Sequence, residues 1–229
     1  MRKIILILFV IVAAINLTSQ IIGNSDLAFY SKPFLMPLLM IYFAVSSTEK
    51  SSLLNFGLLA LLFSWIGDVV LMFQDRGELY FMLGLGSFLV AHLIYIYTYK
   101  KARWQEEENG LLPTQRIRYV FILVLAGCGL VYVLLPKLGD LMVPVIIYAS
   151  VIVAMAIFAL NRFGYTSQAS FGFIFFGAVL FMMSDSILAI NKFMEPLPIA
   201  GFWIMFTYIL AQFTIVQGLL LHKKRVPTL

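Results

Sequence analysis

Two carboxylates stand where a chain has least reason to put them. Asp68 lies in LLFSWIGDVVLMF, residues 61–73, and Asp185 in LFMMSDSILAI, residues 180–190; both stretches are otherwise almost wholly apolar. An ionisable group deep in such a segment costs about 2.5–3.5 kcal/mol even on lenient insertion scales, so its default reading is functional. Two carboxylates that share a pocket repel when both are charged. One then keeps its proton while the other stays ionised, which sets an acid beside a base. The plainer reading is that each aspartate only bonds a neighbouring helix through Ser, Tyr or Lys.

The elements that hold these groups follow from composition. The chain of 229 residues is 62% hydrophobic and 12% charged, with a mean hydropathy of +0.97. Long apolar runs of this kind read as transmembrane helices. Eight are expected, at roughly 4–22, 31–48, 53–73, 79–99, 117–135, 141–160, 170–190 and 199–221. Barrel strands would be shorter and would alternate in polarity. The expected fold is therefore all-α, one polytopic helical bundle over residues 1–229, because helices satisfy their own backbone in lipid. The first run has the basic start of a signal peptide but no small-x-small cleavage site, and is read as a retained helix.

Charge placement orients the bundle. With the N-terminus inside, Arg2, Lys3, Lys50, Lys100, Lys101, Arg103, Arg116, Arg118, Arg162, Lys223, Lys224 and Arg225 are cytoplasmic, while Lys32, Arg76, Lys137 and Lys192 are outside. That division, 12 against 4 of the 16 basic residues, indicates N-in and C-in. The net charge of +5 is then a topology signal and does not suggest nucleic-acid binding. The sole cysteine, Cys128, allows no intrachain disulfide.

The chain also echoes itself. FLVAHLIYI (88–96) aligns with YILAQFTIV (208–216), which sets His92 opposite Gln212, and the helices before them carry Asp68 and Asp185. Four helices per half would make a parallel repeat about an axis along the membrane normal. Each aspartate stands five residues before the expected outer end of its helix, roughly 8 Å down. Tyr148 comes out roughly 10 Å down, and Lys32 at the outer boundary, by the same rise. His92 and Gln212 fall in a deeper layer, roughly 20 Å down. Gly57, Ser64 and Asp68 share one helical stripe, and Ala178, Phe181, Asp185 and Ala189 another; the small residues suggest close helix contact or a cavity.

Other chemistries fit less well. With only His92 and His222 present, a three-histidine metal site cannot be built, and no metal is expected. Ser87 lies about 140° around the helix from His92 and lacks a nucleophile elbow.

The combination of KPFLMPLL (32–39), FSWIGDVVLMF (63–73), FMLGLGSFLVAHLIYI (81–96), FGAVLFMMSDSILAINKF (176–193) and TYILAQ (207–212) resembles the YhhN family of bacterial membrane proteins and its vertebrate relatives, the lysoplasmalogenases. The resemblance implies eight helices in a bacterial cytoplasmic membrane and no cofactor. It implies hydrolysis of the vinyl ether of a lysoplasmalogen to a fatty aldehyde and a glycerophosphodiester. Such bonds open by protonation of the outer alkene carbon, which suits a pair of carboxylates as it does in glycoside hydrolysis. Asp68 and Asp185 take the catalytic roles on this reading, neither assigned as acid or base. Lys32 is a candidate for the lipid phosphate. His92, Tyr148, Asn191, Tyr208 and Gln212 are candidates to bind substrate or orient water. The expected partners are a lysophospholipid and membrane lipids, with no nucleic acid. The alternatives are a proton-coupled transporter, which also uses intramembrane carboxylates and repeated halves, and a lipid-binding protein without turnover.

Overall fold

The computed structural model describes residues 1–47, 52–106 and 110–222. Lys50, Lys223, Lys224 and Arg225, which enter the basic count above, lie outside the described residues. Eight α-helices are long and apolar enough to cross a membrane. They are α1 (Arg2–Ile22), α2 (Ser25–Ser46), α3 (Ser52–Leu71), α4 (Glu78–Lys101), α5 (Pro113–Leu134), α6 (Met142–Leu160), α7 (Gln168–Phe193) and α8 (Ala200–Leu220). No strand occurs among the described residues. Large apolar side chains such as Ile7, Ile11, Phe121, Leu125 and Phe176 lie exposed on the outside, as lipid-facing residues should.

Several of the expected boundaries shift, and those of α2, α3 and α7 matter for the site. The second helix begins at Ser25, not at 31, because Gly23 ends α1 in the left-handed conformation and Asn24 caps the next helix, accepting a hydrogen bond from Leu27 N at 3.0 Å. Lys32 is therefore seven residues into α2, roughly 10 Å from its start, and does not stand at the boundary. At the other shift, α7 runs on to Phe193. Asp185 is then eight residues from its helix end, and Asp68 only three from the end of α3, instead of five each.

Pro33 and Pro37 both sit inside α2. Proline 37 has no N–H to offer the carbonyl four residues back. That carbonyl, Pro33 O, accepts instead from Trp65 Nε1 of α3 at 2.8 Å. One freed backbone group thus becomes a bond between α2 and α3, one turn from Asp68.

The central helix is α8, which packs on α7 most closely and also meets α1, α2 and α3. Glycines let α7 and α8 approach: a Cβ on Gly218 would stand 2.9 Å from Ile174 N, and one on Gly177 2.9 Å from Ala211 O. The pair α3 and α4 packs closely too, and α4 joins that half to α6. Most peripheral is α5, which rests on α6 and α7. The two halves are thus packed differently, with α8 enclosed and its sequence counterpart α4 less so.

At the end of the bundle where α4 and α6 finish, Arg162 is wholly buried. Its guanidinium donates from Nε to Ala102 O at 3.0 Å and from Nη2 to Ser170 Oγ at 2.9 Å, and Ser170 Oγ donates to Gly218 O at 2.7 Å. Burial lowers its pKa to about 10, so it stays charged at neutral pH. This one side chain ties the ends of α4, α6, α7 and α8.

Candidate active site

Each aspartate is held by one tyrosine. Tyr208 of α8 donates to Asp68 Oδ2 at 2.6 Å, and Tyr148 of α6 donates to Asp185 Oδ2. Both tyrosines are buried, and both reach their carboxylate from a different helix. A buried carboxylate needs such donors, since an unmade bond at that depth is expensive.

Lys32 reaches the first of these carboxylates. Its Nζ lies 3.6 Å from Asp68 Oδ1, with the lysine side chain 19% exposed and the aspartate 4%. The sequence placed this ammonium at the outer boundary to meet a lipid phosphate. The early start of α2 carries it into the bundle instead, where the nearest anion is Asp68.

His92 differs from expectation in the same way. Counting residues set it in a layer below the aspartates, yet its Nε2 lies 4.0 Å from Asp185 Oδ2. The extra turn of α7 lowers Asp185 toward it. The imidazole is fully buried, and neither ring nitrogen has a hydrogen-bond partner. It packs edge-on against Phe181 at 4.6 Å and Tyr148 at 5.5 Å between ring centroids. Phe181 in turn meets Tyr208 at 5.5 Å, so this one ring stands between the two tyrosine–aspartate pairs.

The remaining candidates separate. Gln212 accepts from Tyr95 Oη at 2.6 Å and donates to Ser64 Oγ at 3.0 Å, one turn of α3 from Asp68. It forms a polar layer beside the site; Ser64 shares the stripe of Asp68 that the sequence marked, whereas Tyr95 is a member that sequence reasoning did not place there. Asn191 is not brought to the carboxylates: its Oδ1 accepts from Leu197 N at 3.0 Å and shapes the turn between α7 and α8. Ser87 donates to Phe63 O at 2.6 Å, a helix–helix bond.

One crevice reaches the site from the membrane side. It lies between α5, α6, α7 and the start of α4, and its walls are almost wholly apolar. Asp185 and Tyr148 line it; Asp68 does not. The sequence put both carboxylates on one cavity; in the structure Asp185 lines this crevice, and Asp68 lies apart from its walls with Lys32 and Tyr208. Among the described residues no three His, Cys, Asp or Glu side chains converge on a point that could hold a metal ion.

A model of the YhhN family matches residues 27–219. Lysoplasmalogenase TMEM86B of Homo sapiens is 31% identical over 161 residues, 70% of this chain and 62% of that protein. Lysoplasmalogenase TMEM86B of Sus scrofa is 33% identical over 155 residues, covering 67% and 58%. Lysoplasmalogenase TMEM86A of Bos taurus is 30% identical over 158 residues, covering 68% and 61%. The chain spans about three fifths of the length of these relatives. No solved structure matches it.

Proposed function

The chain belongs to the YhhN family, and from that premise we propose that it is a membrane hydrolase that cleaves the vinyl ether of a lysoplasmalogen. The observation that carries the reading is a carboxylate, Asp185, at an apolar crevice within the membrane, with Tyr148 and His92 against it. The relatives that bear the name lysoplasmalogenase support it.

The chemistry divides the two aspartates by their partners. Asp68 has a cation beside it and is the group that carries charge; Asp185 has none and is the group that delivers the proton. The alkene's electron pair takes that proton at the carbon farther from oxygen. The product is an oxocarbenium ion. The freed Asp185 carboxylate and the charge of Asp68 behind it steady this cation, an electrostatic effect that grows where water is excluded. Water adds to the cation and gives its spare proton back to Asp185. The hemiacetal then breaks its bond to the glycerol oxygen, which takes the proton from Asp185 while the hemiacetal hydroxyl returns its own proton to that carboxylate, and the aldehyde leaves. The net reaction is one vinyl ether and one water to one aldehyde and one alcohol. His92 positions the water: a molecule seated off the line between Nε2 and Asp185 Oδ2 can bond both. Tyr148 fixes the orientation of Asp185, and Tyr208 that of Asp68.

The basic bias further supports termini on the cytoplasmic side, with the aspartates in the outer half of the membrane. A reporter fused after residue 229 should then be active in the cytoplasm; its export reverses the orientation. For the activity itself, purified protein in detergent should release fatty aldehyde from 1-alkenyl-glycerophosphoethanolamine, with chelator present. No aldehyde under these conditions would leave carriage or simple binding of the lipid as the better account.

A further inference from the structure

Three of the helices that meet at the site carry a second bonded set one turn along. Tyr95 of α4 stands three residues past His92, Gln212 of α8 four past Tyr208, and Ser64 of α3 four before Asp68. The bonded pairs Tyr208–Asp68 and Gln212–Ser64 show that α3 and α8 run in opposite directions. Gly84 against Leu71 and Gly67 against Phe88 show the same of α3 and α4. All three turns therefore lead the same way along the bundle, each by roughly 5 Å. At their end the side chains join. Tyr95 Oη donates to Gln212 Oε1 at 2.6 Å, and Gln212 Nε2 donates to Ser64 Oγ at 3.0 Å. Each of the three residues is 0% exposed. The amide gives its acceptor to α4 and a donor to α3, and it is closed to a substrate. Nearer the carboxylates, the halves of the site meet only through the Phe181 ring, edge-on to His92 and to Tyr208. Ring contacts of that kind tolerate a wide range of separations, whereas a hydrogen bond holds its atoms near 3 Å.

We propose that Tyr95, Gln212 and Ser64 are positioning residues: they set Tyr208 on Asp68 and, through α4, hold His92 at a fixed distance from that pair. The inference rests on the vinyl-ether reading and adds to it the residues that keep its two halves in register. Gln212 carries the central part. Its bond to Ser64 fixes α8 on α3 one turn from the Tyr208–Asp68 bond, so the two bonds form a ladder that resists sliding of one helix on the other. Its bond to Tyr95 ties α4, and with it His92, to that ladder. Such a tie matters because the cation formed at Asp185 draws on the charge of Asp68 without contact. Groups that act together in this way are sensitive to spacing, and a displacement of about 1 Å costs on the order of a hundredfold in rate.

The test separates positioning from simple packing. Tyr95→Phe removes one hydroxyl and keeps the ring that stacks on Tyr99 at 5.8 Å. It should lower kcat about tenfold and leave KM within about twofold, the pattern of an interaction felt only in the transition state. It also leaves Gln212 Oε1 unpaired, which lowers the thermal midpoint. The double variant Tyr95→Phe, Gln212→Leu takes away both partners, and a buried bond replaced on both sides by apolar groups is nearly neutral for stability. Ser64 then has the carbonyl of Ala60 on its own helix to bond. The double variant is expected to recover the wild-type midpoint and to keep the low kcat. Recovery of kcat together with the midpoint overturns the proposal. So does a raised KM at unchanged kcat, which would make Gln212 a substrate contact. A measurement without turnover lets the two readings fail separately. With 3-fluorotyrosine incorporated at Tyr208, the fluorine resonance reports the bond to Asp68. Tyr95→Phe should move it toward its position in Asp68→Asn protein, although the hydroxyls of Tyr95 and Tyr208 bond different partners. An unmoved resonance overturns the proposal whether or not aldehyde is released. A moved resonance in protein that releases no aldehyde leaves the positioning in place and removes the vinyl-ether reading.

Discussion

Exchange of Asp185 for asparagine is expected to lower aldehyde release by about a hundredfold or more, the contribution of one positioned proton donor. Asparagine has the size of aspartate and can still accept the Tyr148 hydroxyl, so Asp185→Asn protein should insert and stay monodisperse. It has no proton to give to an alkene. Asp68→Asn should cost less, because Asp68 does not line the crevice and acts on the cation by its charge alone. The double variant should fall short of the product of the two losses, since the groups serve one step. Initial rates on one lysoplasmalogen, normalised to folded protein, give all three numbers. Near wild-type turnover in Asp185→Asn would return both aspartates to the role of bonds between helices.

The second large effect concerns stability. Among the described residues, Lys32→Met takes away the one cation paired with a carboxylate that is 4% exposed. Removing one member of a buried ion pair leaves the other uncompensated and costs about 3–5 kcal/mol. Lys32→Met is therefore expected to lower the thermal midpoint sharply in detergent, while Lys32→Met combined with Asp68→Asn recovers much of the loss. The recovery is the informative quantity, since it isolates the pair from the packing of the lysine stem. Additive losses in the double variant would mean that Lys32 works toward the headgroups, as its place in the sequence suggested.

The bundle and the identity of the two central carboxylates were legible in the sequence for a simple reason. Apolar runs of about 20 residues have few readings, and an aspartate inside one is conspicuous. Tyr148 and Tyr208 were named only as candidates to bind substrate or orient water, and the structure puts one on each aspartate. What hydropathy could not place was the ends of the helices. Ser25 and Asp26 are polar and Pro33 reads as a break, so the first turns of α2 were hidden, although the capping Asn24 was a usable signal. Asn191 and Lys192 hid the last turn of α7 likewise. These slips set Lys32 at the boundary instead of inside the bundle, and moved His92 off Asp185. The sideways contacts were harder still, because helices that are apolar all round show no face to assign. Arg162 was counted as a basic loop residue, and only the folded chain shows it buried among four helix ends.

The place of α8 sets the order in which the protein can be made. It is the most enclosed of the eight helices and the last of them to leave the ribosome. Until it arrives, Asp68 has no Tyr208, Ser64 and Tyr95 have no Gln212, and Ser170 has no Gly218 carbonyl to bond. Seven inserted helices therefore wait around an unfilled groove lined with polar groups that lipid tails cannot satisfy. Synthesis must outpace whatever else would occupy that groove, and no stage of the growing chain before the eighth helix holds a finished site.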